Sequence, residues 1–598
     1  MDFYERRVYN INVKNQDESE DDALKSLKNR KKDYALYSSV RYDDIRDMLD
    51  VAADKFGDKT AISYRNSPKD AESEKVSFDE MRKTVAAIAT ELIAAGLRGK
   101  KVGIIGENSI GWIYSYFAVT SMGAIAVPID KEYPAPDMAS ILNTARCDAL
   151  LFSPSLKDKF DYIIKEVPTL KFYASFTAKQ NDEYIPTLAE LMAAGEEKIA
   201  GGDNSYYNYE IDPDAMVSIV FTSGTTGKGK GVMLSTRNIL DDMSNGIFLF
   251  NMPEKTLFAL PAHHTFGSTV NLIGHYMQGL EIYISSGNRY ILEELKKEDP
   301  THLVLVPLYI ETFYKKIFAS IEKQGKLPLV KRTMKISDGL RKCGIDLREK
   351  LFAEILKNFG SRMRLIVSGG AALNPDIIRD FESIGIVILN GYGITECAPL
   401  ISCNRNNYRK AGSVGRPIIY EDVKIYNPDA NGEGEICVKG TNVMLGYYEN
   451  DEATREVFDE EGYFHTGDLG KIDDEGWIYI TGRSKNLIIL SNGKNVYPEE
   501  IETELSRIYG LSEVIVYEGL SRDGAATDLI VAEIFPDREA LALRSITDEK
   551  KYFDTEVAAL NARSAPHKKI GLVKIREVEF EKTTTRKITR FSIDKTVD

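Results

Sequence analysis

Short apolar runs alternate with amphipathic stretches along most of the chain from about Asp43 onward. The run "KKVGIIG" (100–106) has the length and composition of a buried strand, and "SIGWIYSYFAVTSMG" (109–123) reads as a Ser-led helix closed by Gly123. "AIAVPID" (124–130) is a second strand. The same unit recurs at "RLIVSGG" (364–370), followed by a helix with Asn374 as cap, Pro375 at its first position and Gly385 past its end, then by "IVILNGYG" (386–393). Two such units far apart predict an α/β protein with a large layered body. Beyond about residue 410 the texture changes: "EDVKIYNPDANGEGEICVKG" (421–440) places Pro-Asp and Asn-Gly turn signals between short alternating strands. This predicts a small β sub-domain over about 410–482. The last segment holds "NVYPEEIETELSRI" (495–508), read as a capped amphipathic helix. From Arg563 to Arg590 it carries nine Lys or Arg against three Glu. The predicted division is a charged extension over 1–42, a large domain over 43–482 and an α+β C-terminal domain over 483–598.

A length of 598 residues exceeds what one hydrophobic core supports, in keeping with that division. No run approaches the roughly 20 apolar residues of a membrane span. The amino terminus, "MDFYERRVYNINVKNQDESEDD", has neither an apolar h-region nor the acid-free character of a transit peptide, which predicts a cytoplasmic protein. Residues 16–33 are charged on both signs and read as a solvated extension. The five cysteines form no CxxC and the His263-His264 pair no HExxH, so a disulfide framework and a zinc site are unsupported and the thiols are expected to be reduced and structural. A net charge of -14 argues against general nucleic-acid binding, while leaving room for a small anion held by local positive charge.

The place for such an anion is "TSGTTGKGKG" (222–231). Glycines let backbone N–H groups face an anion, Thr hydroxyls add donors and Lys adds charge. The stretch nearly matches a Walker A loop, with Gly224, Gly229 and Lys230 in place. That loop, however, needs a hydroxyl after the Lys to ligate Mg²⁺ and a helix starting at once. Here Gly231 follows, and "VMLS" reads as a strand before a helix begins near Ser235 or Thr236. The spacing predicts a strand–loop–strand element joining "MVSIVF" to "GVML".

With this loop, further motifs in fixed order resemble the adenylate-forming (AMP-binding) superfamily: "LPAHHTFG" (260–267), "VSGGAALNP" (367–375), "NGYGITECAP" (390–399), "YFHTGDLG" (463–470), "ITGRSKN" (480–486) and "EKTTTRKITR" (581–590). The chain is most similar to long-chain fatty acid CoA ligases, over about Asp43 to Arg590. The resemblance implies that Thr222, Ser223, Gly224, Thr225, Thr226, Gly227 and Lys230 grip the phosphates of ATP, with Thr226 and Glu396 on Mg²⁺. It implies that Gly370, Ala371, Asn390, Gly391, Tyr392 and Gly393 line the nucleotide, with Tyr392 against adenine and Thr395 by the phosphates. Asp468 falls to the ribose, Arg483 to the ribose or a phosphate, His264 to the reacting carboxylate, Lys587 to catalysis, and Lys485 to the hinge of a mobile C-terminal domain. The implied reaction makes acyl-AMP from a fatty acid and ATP, releasing pyrophosphate, then transfers the acyl group to coenzyme A; the alternatives are a carrier-protein thiol as acceptor or another carboxylic acid as the substrate of a CoA ligase. "STVNLIGHYMQGLEIYI" (268–284) can wall an acyl pocket, and reads equally as an ordinary buried helix and strand. Fatty substrates favour peripheral membrane contact, whereas the acidic charge and the lack of an evident amphipathic anchor oppose it. Three positions depart from the pattern: Gly229 where Pro is usual, Ile489 where Lys is frequent, and Arg586 where Gly is usual. Outside this chemistry stand a P-loop NTPase, which Gly231 opposes, and a catalytically silent binding module.

Overall fold

The computed structural model describes residues 36–177, 185–222, 229–492, 494–582 and 588–597. Among them the strands form sheets of nine, seven, four, three and two strands. The seven-stranded sheet runs Gly446–Tyr447, Lys230–Ser235, Met216–Thr222, Ile125–Ile129, Lys101–Ile105, Ala149–Phe152, Phe172–Ser175, its last five strands parallel. The nine-stranded sheet has six neighbouring parallel strands, in the order Val387–Gly393, Leu365–Ser368, His302–Leu305, Lys255–Phe258, Glu281–Ile284, Thr60–Tyr64.

The helix Ile110–Ser121 is apolar on nearly every side and packs in the main core. Such a helix needs cover all round, and at 12 residues it is too short to span a bilayer. Its Ser109 hydroxyl accepts the Trp112 N–H, and Gly123 turns the chain away at a φ of 80°. Phe117 and Phe78, from two different helices, both meet the Tyr276 ring, at 5.4 and 4.8 Å between centroids. The helix Pro375–Ile384 carries its expected punctuation: Asn374 accepts from Asp376 N–H and Gly385 closes it with a left-handed φ. No helix among the described residues is long and apolar enough to cross a membrane.

The four-stranded antiparallel sheet comprises Asp422–Tyr426, Gly434–Lys439, Phe464–Ile472 and Ile478–Arg483. Chain within the same stretch also serves its neighbours: Arg416–Pro417 extends the nine-stranded sheet and Gly446–Tyr447 the seven-stranded one. After Arg483 a single turn, Ser484–Asn486, leads to the two- and three-stranded sheets. Helices Pro498–Leu505 and Glu549–Arg563 pack there around a separate core that includes Leu505, Val516, Ile534 and Phe553. This is the expected α+β arrangement. The helix Pro498–Leu505 lacks the side-chain cap read from the sequence; Pro498 at its start removes one donor that a cap would have satisfied. Arg544 to Glu322 (3.1 Å) and Arg507 to Asp376 (3.4 Å) join this unit to the larger body.

All five cysteines are unpaired with one another; four are buried and Cys343 is exposed.

Candidate active site

The strand–loop–strand reading holds: Met216–Thr222 and Lys230–Ser235 pair antiparallel, and a helix starts only at Thr236, capped by Ser235. A Walker A arrangement would have put that helix directly after the lysine. Thr222 and Lys230 face each other at the mouth of the hairpin. Ser223, Gly224, Thr225, Thr226 and Gly227 lie outside the described residues. A Cβ on Gly229 would stand 2.6 Å from the Thr222 carbonyl oxygen, so the close approach of the two strands takes glycine there and would exclude proline.

The hairpin's other edge pairs with Gly446–Tyr447, placing Tyr447 opposite Val232. The Lys230 ammonium lies over the Tyr447 ring at 4.5 Å, and the Tyr447 hydroxyl donates to Glu396 Oε1 at 3.0 Å. Burial and the Glu396 carboxylate hold the phenol well above its ordinary pKa, so it remains a donor. Tyr447 thus links the last lysine of the loop to the carboxylate of the "TEC" turn, Thr395–Cys397. No motif in the sequence singles Tyr447 out.

A second cluster forms where the nine- and four-stranded sheets meet. Tyr392, near the carboxyl end of a parallel strand, donates to Asp468 Oδ2 at 2.7 Å. Arg483 Nε lies 2.6 Å from Asp468 Oδ1 across the Phe464–Ile472 and Ile478–Arg483 ladder. Burial, then the Asp468 charge, pushes the Tyr392 phenol far up. Gly370 and Ala371 are exposed in the loop after Leu365–Ser368, and Asn390 pairs with Ser368 on the adjacent strand. Gly391, Tyr392 and Gly393 turn back against Leu400–Cys403, and a Cβ on Gly393 would come within 1.9 Å of the Pro399 carbonyl oxygen. These positions gather at the carboxyl ends of parallel strands, the usual ligand edge of open α/β sheets.

Around "LPAHHTFG" no motif singles out Asn108, whose side chain donates to Leu260 O (2.7 Å) and accepts from Ala262 N–H (2.9 Å). It ties the loop after Lys101–Ile105 to the other large sheet. The His264 carbonyl accepts the N–H groups of Gly267 and Ser268 at the start of a π-helix, Phe266–Ile273, where an ordinary helix was expected. The His264 ring packs 4.3 Å from His263. His263 Nε2 lies 3.5 Å from Asp130 Oδ2, but burial lowers that imidazole to about 3, so the contact is one of a neutral ring.

Lys485 sits in the turn Ser484–Asn486 and lines a cavity of about 170 Å³ with Ile515, Tyr517 and Arg590. Ile489 is 63% exposed. Lys587 and Arg586 lie outside the described residues; the flanking Lys582 and Ile588 form a bridge. Several cations of the basic terminal segment are spent inside the protein: Lys582 pairs with Glu513 and Glu579, Arg576 with Glu533, and Arg590 makes two 2.6 Å contacts to Glu502.

For a metal, Glu396 offers Oε2, which carries no hydrogen bond from the described residues, beside the mouth of the loop hairpin. Glu435, Cys437 and His465 also bring ligand atoms within 4.8 Å of one another. There, however, His465 Nδ1 is 2.8 Å from Glu435 Oε2, Glu435 Oε1 accepts the Gly467 N–H, and the Lys424 ammonium is 3.1 Å from the flanking Asp459. Burial, then Glu435, pushes the Cys437 thiol up to about 12. The group is balanced without an ion and braces the turn before Asp468.

The layered α/β body, with its candidate site at the carboxyl ends of parallel strands, is that of an adenylate-forming acyl ligase. The chain belongs to the AMP-binding enzyme family, which matches residues 49–448. It is 28% identical over 585 residues to a probable acyl-activating enzyme 16, chloroplastic, of Arabidopsis thaliana, covering 85% of this chain and 78% of that one. A long-chain-fatty-acid–[acyl-carrier-protein] ligase of the same plant is 27% identical, covering 81% and 76%, and long-chain-fatty-acid–CoA ligase 1 of Cavia porcellus is 26% identical, covering 84% and 75%. In fold the chain resembles the anthranilate CoA ligase AuaEII solved with anthranoyl-AMP, at a TM-score of 0.73 and 20% identity, over 92% of this chain and 96% of that one. ATP-bound MatB from Rhodopseudomonas palustris gives 0.71 at 24% identity, over 92% and 98%.

Proposed function

We propose that this chain converts a long-chain fatty acid, ATP and coenzyme A into acyl-CoA, AMP and pyrophosphate. The observation that carries the reading is the meeting of Lys230 and Glu396 on Tyr447. It joins a cation suited to phosphates with a carboxylate suited to a hard metal ion. A carboxylate oxygen of the acid attacks the α-phosphorus of ATP, the bond to the bridging oxygen breaks, and pyrophosphate leaves. Such a displacement depends mainly on positioning and charge neutralisation. Lys230 and the loop from Thr222 to Gly227 hold the β- and γ-phosphates, while Asp468, set by Tyr392 and Arg483, takes the ribose hydroxyls. Glu396 and Thr226 would hold Mg²⁺, which supplies further neutralisation. Lys587 bridges the carboxylate and the α-phosphate, a stabilisation of a few kcal/mol in comparable sites. In the second half-reaction the coenzyme A sulfur attacks the acyl carbonyl, the bond to AMP breaks, and the thiol proton passes to solvent. The unit after Arg483 turns about Lys485 between the two steps.

A second reading gives the acyl group to a carrier-protein thiol; one of the Arabidopsis relatives bears that activity in its name. The test is AMP release from ATP across short, medium and long fatty acids and one aromatic acid, with coenzyme A or acyl carrier protein as acceptor. AMP and pyrophosphate that depend on a long-chain acid and on coenzyme A support the reading. ADP and phosphate, or no turnover with any acid, would sink it; turnover with carrier protein alone would select the second acceptor.

A further inference from the structure

We propose that the outer face of the helix Leu327–Lys342, with the turn that follows it, docks this acidic chain on an anionic lipid bilayer. The whole protein carries a net charge of -14, yet residues 323–342 hold Lys323, Lys326, Lys331, Arg332, Lys335, Arg341 and Lys342 against a single Asp338. The inner side of the helix is engaged. Met334 and Ser337 are buried, Lys331 pairs with Asp380, and Asp338 accepts from Ser383 on the helix Pro375–Ile384.

The outer side has a different composition. Leu329 is 64% and Ile336 is 53% exposed. At seven residues apart they share a face, about 10 Å from each other along the axis. Arg332, Lys335 and Lys342 fall on the same exposed side at helical spacing. Lys323, Arg332, Lys335 and Lys342 make no ion pair with the described residues, whereas Lys331 and Arg341 are neutralised by Asp380 and Asp338. Just past the helix, Ile345, Leu347 and Leu351 are exposed as well. Five of the fourteen large hydrophobic residues exposed among the described residues therefore fall between 329 and 351. Clustering of this kind, interleaved with unpaired cations, marks a surface that meets something apolar and negative.

An anionic bilayer satisfies both terms. The aliphatic side chains enter the headgroup boundary while the long Lys and Arg stems let their charges stay among the lipid phosphates. Elsewhere the acidic surface is repelled, so this patch also fixes the orientation of docking. The preference for a bilayer over an acidic protein rests on the fatty-acid reading, since such a substrate partitions into membranes. The patch itself does not depend on that reading.

Co-sedimentation of the full chain with phosphatidylcholine vesicles, with and without phosphatidylserine, tests the proposal. Binding should be at least about tenfold tighter with phosphatidylserine and weaken with salt. The doubly substituted variants Leu329→Ser with Ile336→Ser, and Arg332→Glu with Lys335→Glu, should each lose about tenfold or more. Because these side chains are exposed, both variants should melt with the parent and release AMP normally from fatty acid supplied on albumin. Absence of binding to anionic vesicles, or variants that bind as well as the parent, overturns the proposal. So does loss in the charge variant of binding to acyl carrier protein without any vesicle binding, which would assign the face to that protein. Vesicle binding without turnover of any acid would leave the docking face standing and remove the proposed function instead.

Discussion

Replacing Tyr392 by Phe removes one hydroxyl and keeps the ring. That hydroxyl donates to Asp468 Oδ2 at 2.7 Å, and the Asp468 carboxylate is 4% exposed. A hydrogen bond to a charged group contributes about 1.5–3 kcal/mol, and a buried charge that loses a donor is not rescued by water. Arg483 remains at Oδ1, but its side chain is 47% exposed, so it restrains the carboxylate less. A carboxylate has about four acceptor positions, so the phenol and two ribose hydroxyls need not compete. If Asp468 receives the ribose, the loss of about 1.4 kcal/mol of orientation raises the KM for ATP about tenfold. Since the contact is made equally before and during the reaction, kcat should change little, and the KM for the fatty acid should not move. The phenol is held far above its ordinary pKa, so the defect should be constant from pH 6 to 9. The assay is initial-rate AMP formation at varied ATP, with a thermal melt as control. A lowered melting temperature with an unchanged KM for ATP would show that the Tyr392–Asp468 bond is purely structural and refute the argument.

Tyr447→Phe should raise the Mg²⁺ concentration needed for half-maximal rate about fivefold while the Lys230 contact with the ring survives; an unchanged Mg²⁺ dependence would separate Tyr447 from any metal role. Lys587→Ala should abolish acid-dependent exchange of labelled pyrophosphate into ATP yet leave thioester formation from supplied acyl-adenylate largely intact, and equal loss in both assays would contradict the division of labour. Lys485→Pro should impair chiefly the thioester step; a selective loss of adenylation would remove Lys485 from the hinge. His263 and His275 are lowered by burial to about 3 and about 4, so the folded chain keeps them neutral while the unfolded chain takes up protons below about pH 6.5. Their stabilisation is intact above that pH and decreases as pH falls, by about 2 kcal/mol for each at pH 5; a melting temperature that is flat between pH 7.5 and 5 would contradict this.

What was legible in the fold was what neighbouring residues settle among themselves. Ser109, Asn374, Pro375 and Gly385 act within a few residues of their own helix ends, and each does in the structure what its type requires. The π-helix over Phe266–Ile273 was not legible, because its apolar spacing suits an α-helix as well. Its start depends on Gly267, where a Cβ would meet the Pro261 carbonyl oxygen at 2.1 Å, a contact between segments that no periodicity encodes. The same limit hid the exposed apolar face of another helix. With Met334 inward and Leu329 and Ile336 outward, Leu327–Lys342 shows apolar residues on both faces, and only the burial of Met334 tells which one is unpartnered.

In the site, the motifs mark positions but not connections. Tyr392, Asp468 and Arg483 lie in three separate motifs, and their common cluster requires the nine- and four-stranded sheets to meet. Tyr447 belongs to none, yet it joins the loop to Glu396 because a two-residue strand, too short to show any alternation, pairs with the hairpin. Gly229 shows the converse. In the sequence it is only a departure from the usual proline. In the structure a Cβ there would stand 2.6 Å from the Thr222 carbonyl oxygen, so glycine lets the two strands close at the mouth of the hairpin. Any Cβ at this position, that of proline included, would require the Thr222 carbonyl or the chain at 229 to shift. The departure from the family pattern therefore goes with a close approach of the two strands, next to the Lys230–Tyr447–Glu396 contacts.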